Sequence, residues 1–252
     1  MPIDATLQFK RVLEYEIKST FTNVRFIFIF LLTLVLSIFT TYAALTAADV
    51  SVRDVITSTV LFSFIIVYLP AIVLVPPILS SEYEDKSFLF IASKPYSRTK
   101  YLFTKAVSII FLQMIVLLIY FIGGAFASIY HLNYIPEHLI VDFLLIALAI
   151  FAFTGISTLI STVTNSSAAS VITSLILIIL MGYLVQYSTD ISFLSYLPTS
   201  IVNDISFGNG NFSPDIPWET FISHSLTAAF ALIITGIVSF IIANYAYSRR
   251  EM

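Results

Sequence analysis

The chain has 252 residues, 58% of them hydrophobic and 11% charged, with a mean hydropathy of +0.97 and a formal net charge of −3. Soluble domains carry about 25% charged residues, so the composition predicts an all-α integral membrane protein. Six spans of roughly 20 apolar residues each, with their loops, use the whole length and leave no room for a separate soluble domain. There is no cysteine, which excludes disulfides, thiolate metal sites and cysteine nucleophiles.

The chain is expected to be one transmembrane unit over 1–252. Residues 4–23 are polar and mixed in charge, unlike a secretory signal peptide. Phe9, Leu13, Ile17, Phe21 and Val24 recur at helical spacing, while Lys10, Arg11, Glu14 and Lys18 take other faces. This predicts an amphipathic helix lying in the inner leaflet and feeding the first span. An ordinary helix packed on loops is the alternative.

Apolar runs place spans at about 24–47, 55–79, 102–129, 140–163, 168–187 and 221–247. The second carries Pro70, Pro76 and Pro77. Each removes a backbone donor, so a kink near Pro70 and a break near Pro76 are expected. Neighbouring helices can satisfy the freed carbonyls. The external loop 188–220 is acidic and free of Lys and Arg, with turn residues Gly208, Gly210, Pro214 and Pro217. Its part 191–201 is apolar enough to dip back into the membrane over a cavity, or simply to pack.

Eleven of the twelve Lys and Arg residues fall on one side of this six-span reading. They are Lys10, Arg11, Lys18 and Arg25, then Lys86, Lys94, Arg98, Lys100 and Lys105, then Arg249 and Arg250. The other side holds Arg53 against eight acids: Asp49, Asp54, Glu137, Asp142, Asp190, Asp204, Asp215 and Glu219. The positive-inside rule makes the basic side cytoplasmic. The expectation is a multi-pass protein of the cell (plasma) membrane with both termini in the cytoplasm. Six of these bases, in the two terminal segments, serve as anchors to the inner leaflet.

No phosphate-binding G-x-x-x-x-G-K-[ST] loop occurs. The chain itself is therefore expected to bind no nucleotide and to be no enzyme, and nothing in it points to nucleic acid. The spans carry Ser, Thr, Tyr, Gln113 and Gln186, with ionisable groups only near their ends at Lys105, Asp142 and His224. An ion-coupled pathway usually has such groups at mid-depth. This lining suits an amphipathic or apolar substrate.

The loop 80–100 carries the strongest signal. Ser81-Glu82-Tyr83-Glu84 fits a capping box, Phe88, Leu89 and Ile91 give a short apolar face, and Pro95 stops the helix. A short charged helix between two spans is a docking element for a soluble partner. The stretch SEYEDKSFLFIASKPYSRTKYLFTK resembles the first coupling-helix signature of ABC transporter permeases of the type-2 exporter class. Glu82, Glu84, Phe88, Pro95, Ser97, Arg98 and Lys105 stand at matching positions, while Lys86 and Ser87 stand where that family usually has Gly and Thr. The six spans, cytoplasmic termini and long external segment agree with it, and Tyr196-Leu197-Pro198 looks like that family's re-entrant segment.

The resemblance implies a membrane subunit pairing with a second permease copy, as homodimer or heterodimer. Two copies of a separate ATP-binding subunit would dock beneath and hold ATP and Mg. This chain would carry no cofactor or metal. The coupling contacts would be Glu82, Glu84, Phe88, Pro95, Arg98 and Lys105, with a second contact at Asn165 and Ser166 in the turn Thr164-Asn165-Ser166-Ser167. A non-transporting scaffold or sensor subunit of the same architecture stays open. So does an intramembrane serine protease built on Ser157, after Gly155, and His224; residues 155, 157 and 161 also suit simple helix packing.

Overall fold

The computed structural model describes residues 5–46, 51–77, 80, 97–187, 192–208 and 210–249. The described residues form helices and turns, with no strand among them. The helices are α1 (Ala5–Phe21), α2 (Val24–Thr46), α3 (Val52–Val60), α4 (Ser63–Val73), α5 (Arg98–Leu132), α6 (Glu137–Val163), α7 (Ser167–Tyr187), α8 (Pro198–Phe207) and α9 (Trp218–Arg249). Short 3-10 turns flank α8 at Ser192–Tyr196 and Gly210–Phe212.

Five helical runs are long and apolar enough to cross a membrane: Val24–Thr46, Val52–Pro77, Thr99–Leu132, Glu137–Val163 and Trp218–Arg249. In α7 the apolar stretch is shorter, Ser167–Gly182. The fold is that of an all-α membrane-embedded protein. Helix α5 has 35 residues, about 52 Å of helix, so its ends stand beyond a hydrocarbon core of roughly 30 Å.

Local chemistry sets the boundaries. Ser51 caps α3 through a capping box: its hydroxyl accepts from the Asp54 N–H, and the Asp54 carboxylate accepts from the Ser51 N–H at 3.0 Å. The second run therefore begins three residues before the apolar pattern does. It breaks at Leu61-Phe62, where the sequence has no proline. There the Phe62 N–H donates to the Tyr120 hydroxyl of α5 at 3.1 Å, so a side chain from another helix enters the ladder. Pro70 stands inside α4, and at the end of that helix the Leu74 N–H donates to the Pro70 carbonyl at 2.9 Å in the ordinary helical pattern. Asn133, at φ 59°, closes α5 in the left-handed conformation.

Side-chain pairings give the directions. Ser37 meets the backbone of Ile119 and Tyr120, and the Ala44 carbonyl meets His131, so α2 and α5 run parallel. Phe121 stacks edge-on with Phe143, and Thr154 bonds Gln113, so α6 runs against α5. His138 lies 4.4 Å from the Phe221 ring, and Gly155 meets Gly236, so α6 and α9 run parallel.

The α6–α9 pair is the most extensive helix contact, and glycine makes it possible. A Cβ on Gly236 would stand 2.3 Å from the Phe151 ring. Without a side chain at that point the two helices close onto each other, the usual device where lipid leaves no hydrophobic drive between spans. The buried core runs through the bundle from Ile66, Val67 and Ala71 to Leu117, Tyr120, Ile146, Phe153 and Leu232.

Charge separates along the bundle. One end holds α1, the starts of α5 and α7 and the ends of α6 and α9. Its described bases are Lys10, Arg11, Lys18, Arg25, Arg98, Lys100, Lys105 and Arg249. The other end has Arg53 among Asp54, Glu137, Asp142, Asp204, Asp215 and Glu219. Arg53 is bonded to Asp215.

Helix α1 packs on α5 partly through the apolar stripe, with Ile17 against the buried core. Glu16 and Thr20 are buried, with Leu13 and Ile17 half-buried, whereas Phe21 and Val24 are exposed.

Candidate functional site at the basic end of the bundle

The proline-rich end of the second span comes close to the end of α6. Pro76 and Pro77 bring no N–H of their own, while Val75, Pro76, Pro77 and Ser80 are all helical. The Pro76 carbonyl accepts two hydroxyls, from Ser161 at 2.5 Å and from Ser80 at 2.8 Å. The Ser80 N–H, which a regular helix would send to Pro76, donates to the Ser161 hydroxyl at 3.2 Å. Ser80 and Ser161 are both fully buried. One α6 hydroxyl thus takes and gives a hydrogen bond where the chain enters the loop 81–96.

Three residues beyond Ser161 the second expected contact begins. The Ser166 hydroxyl accepts from the Ala169 N–H at 3.2 Å and caps α7. Ser170 donates to the Ser166 carbonyl at 3.0 Å, and its hydroxyl bonds that of Thr164. Asn165 is exposed at the tip. These hydrogen bonds close the turn, which begins at Thr164, three residues from the clamp.

Glu82, Glu84, Phe88 and Pro95 lie outside the described residues, as does the capping box expected at 81–84. Arg98 is the first residue of α5, which Ser97 caps by accepting from the Lys100 N–H. Lys105 lies two turns on. Its side chain is buried, and its ammonium sits 4.9 Å from the centre of the Tyr101 ring, a cation–π contact strengthened by desolvation. Tyr101 and Leu102 pack with Ala243 and Tyr247 of α9, which joins the foot of α5 to the C-terminal helix.

The acidic end carries a second polar group. Helix α8 is inserted among α3, α4, α6, α7 and α9. The Tyr68 hydroxyl donates to the Thr199 carbonyl and meets the Asn203 side chain, both at 3.0 Å. Ser63 and Ser206 share a hydrogen bond at 2.8 Å. Tyr68 is 16 residues into the run from Val52, about 24 Å along it. Burial pushes the Asp204 carboxyl up to about 6.

Ser157 and His224 are not brought together. His224 bonds the Tyr196 hydroxyl at 2.9 Å. Ser157 is buried beside the Gly155–Gly236 crossing, which is twelve residues, about 18 Å, along α9 from His224. Among the described residues no group of three His, Cys, Asp or Glu side chains is arranged to hold a metal.

Sequence reasoning placed Ser161 only among small packing residues and missed Ser80, Pro76 and Tyr68 as bonded groups. The one available signal was a hydroxyl near a span end facing a paired proline. No family model matches the chain, and no curated protein is significantly similar to it.

Proposed function

We infer that the chain is the membrane subunit of an ATP-driven exporter of the type-2 ABC class. It moves an amphipathic or apolar substrate outward through six spans, α7 serving as the fifth. The clamp of Ser161 on Pro76 and Ser80 carries this reading. A permease must deliver one partner's motion to several spans at once. In this chain the exit to the loop 80–100 and the turn at Asn165 and Ser166 are tied within a few residues of each other.

In this reading the basic end faces the cytoplasm of the plasma membrane, as the positive-inside rule requires. ATP-binding subunits dock on Glu82, Glu84, Phe88 and Pro95 and on the 164–166 turn, while Arg98 and Lys105 hold the foot of α5. Closure of the ATPase pair would push the clamped ends together. Helix α8 would dip into the outer half of the bundle and close it from that side.

Crosslinking of the full-length chain in its native membrane, followed by purification, tests the reading. The expected result is an ATP-binding subunit recovered in about equal copy number. In the recovered complex, Glu82→Ala with Arg98→Ala should leave the chain inserted but separate ATP hydrolysis from transport. Crosslinked material with no ATPase, or normal substrate-stimulated turnover in the double variant, would overturn it.

A further inference from the structure

A cleft of about 610 Å³ lies between α5, α6 and α9 towards the acidic end. That is within the roughly 300–1,000 Å³ of small-molecule sites. Met114, Val141, Leu144, Ile222, Leu226 and Ala229 line it, and it opens sideways between Leu144 and Leu226, both more than half exposed. The lining on α6 covers residues 141–151, about 15 Å of helix, a length that takes one extended apolar chain.

Three features distinguish the cleft from a bare groove. The Ser225 hydroxyl lines it, is 5% exposed, and has no hydrogen-bond partner. In a helix such a hydroxyl ordinarily returns to its own backbone, so here a buried polar atom is left for an occupant. Glu137 stands one turn above Val141, and Glu219 one turn above Ile222, on the helix faces that line the cleft. Both carboxylates are exposed, and Arg53, the one described Lys or Arg at this end, is already held by Asp215. Finally, Trp218, 38% exposed and stacked on Phe221 at 5.6 Å, adds an aromatic face beside Glu219. Carboxylates next to a tryptophan face suit an organic ammonium ion, for which Trp is the best cation–π partner.

We propose that this cleft binds a cationic amphiphile with a single apolar chain. The ammonium head lies at Glu137, Glu219 and Trp218, and the chain lies along α6 past Ser225. A second copy of this chain is a poorer occupant, because it would bury two carboxylates with no lysine or arginine free to meet them. The site belongs to this chain alone. That its ligand is also cargo rests on the exporter reading.

Trp218 is the sole tryptophan, so its fluorescence reports the site directly. The full-length chain, in nanodiscs of an uncharged glycolipid, is titrated with hexadecyltrimethylammonium and, separately, with hexadecyl sulfate. Saturable change is expected for the cation only. Glu137→Gln with Glu219→Gln should weaken it at least tenfold. Ala229→Phe, which fills the cleft but keeps both acids, should do the same. Equal responses to cation and anion, or wild-type binding in both variants, would overturn the proposal, as would a crosslinked second copy occupying the cleft. Competition by added sphingosine, a single-chain amine lipid, would identify the ligand as an amine lipid of the bilayer; its absence, with the cation still bound, would identify a free amphiphile. No ATPase is present, so failure here and failure of the exporter reading are read separately.

Discussion

Replacing Ser161 by Ala removes the hydroxyl that joins the second span to α6. The Pro76 carbonyl keeps one partner, since Ser80 still donates to it at 2.8 Å. The Ser80 N–H loses its side-chain acceptor in a fully buried position. A buried donor left unsatisfied costs about 1–3 kcal/mol, while interhelical hydrogen bonds in membranes average nearer 0.6 kcal/mol. The expected cost is therefore about 1–2 kcal/mol. Ser80→Ala should cost about 1 kcal/mol or less, because its N–H remains bonded to Ser161. The two hydroxyls share one acceptor, so the double variant should be non-additive by at least about 0.5 kcal/mol. Reversible unfolding in mixed micelles measures all three. A Ser161→Ala cost below about 0.3 kcal/mol, or strict additivity, would refute the clamp as described.

Gly236→Ala should destabilise by about 1–3 kcal/mol, because its Cβ would meet Phe151 at 2.3 Å. Gly182→Ala, with nothing within 4 Å of its Cβ, should instead gain up to about 1 kcal/mol of helix propensity; the same unfolding assay compares them. Tyr68→Phe removes the donor to the Thr199 carbonyl, so amide exchange in α8 should speed up while α6 stays protected, measured by hydrogen–deuterium exchange. Asp204 should make stability depend on pH. Its folded pKa, about 6, lies above the ordinary 3.8, so its contribution is full below about pH 4 and is lost as the pH rises through 6. Asp204→Asn should flatten that fall, seen by comparing midpoints at pH 5 and pH 7.5; an unchanged slope would show the carboxyl to be uninvolved.

The long apolar runs made most of the spans legible, and the lopsided bases made the two ends legible. Both properties belong to single segments and need no partner to be read. The break at Phe62 was not legible, because its cause is Tyr120, far along the chain. The burial of Glu16 and Thr20 on α1 was not legible, because it is decided by the packing of α1 on α5. Lys105 was singled out in the sequence by its place in the stretch that resembles the coupling-helix signature. Ser161 was not, because a serine in a span looks the same whether it fills space or holds another helix's carbonyl. The cleft depends on three helices meeting, and only its rim acids were visible beforehand.

The broken second span also imposes an order on biogenesis. Phe62 turns its N–H to a residue 58 positions later, and Ser80 turns its N–H to one 81 positions later. At roughly 5–20 residues per second of synthesis, the first acceptor is made about 3–12 s after its donor. The bonds at Phe62 and Ser80 can therefore form only once α5 and α6 have been made.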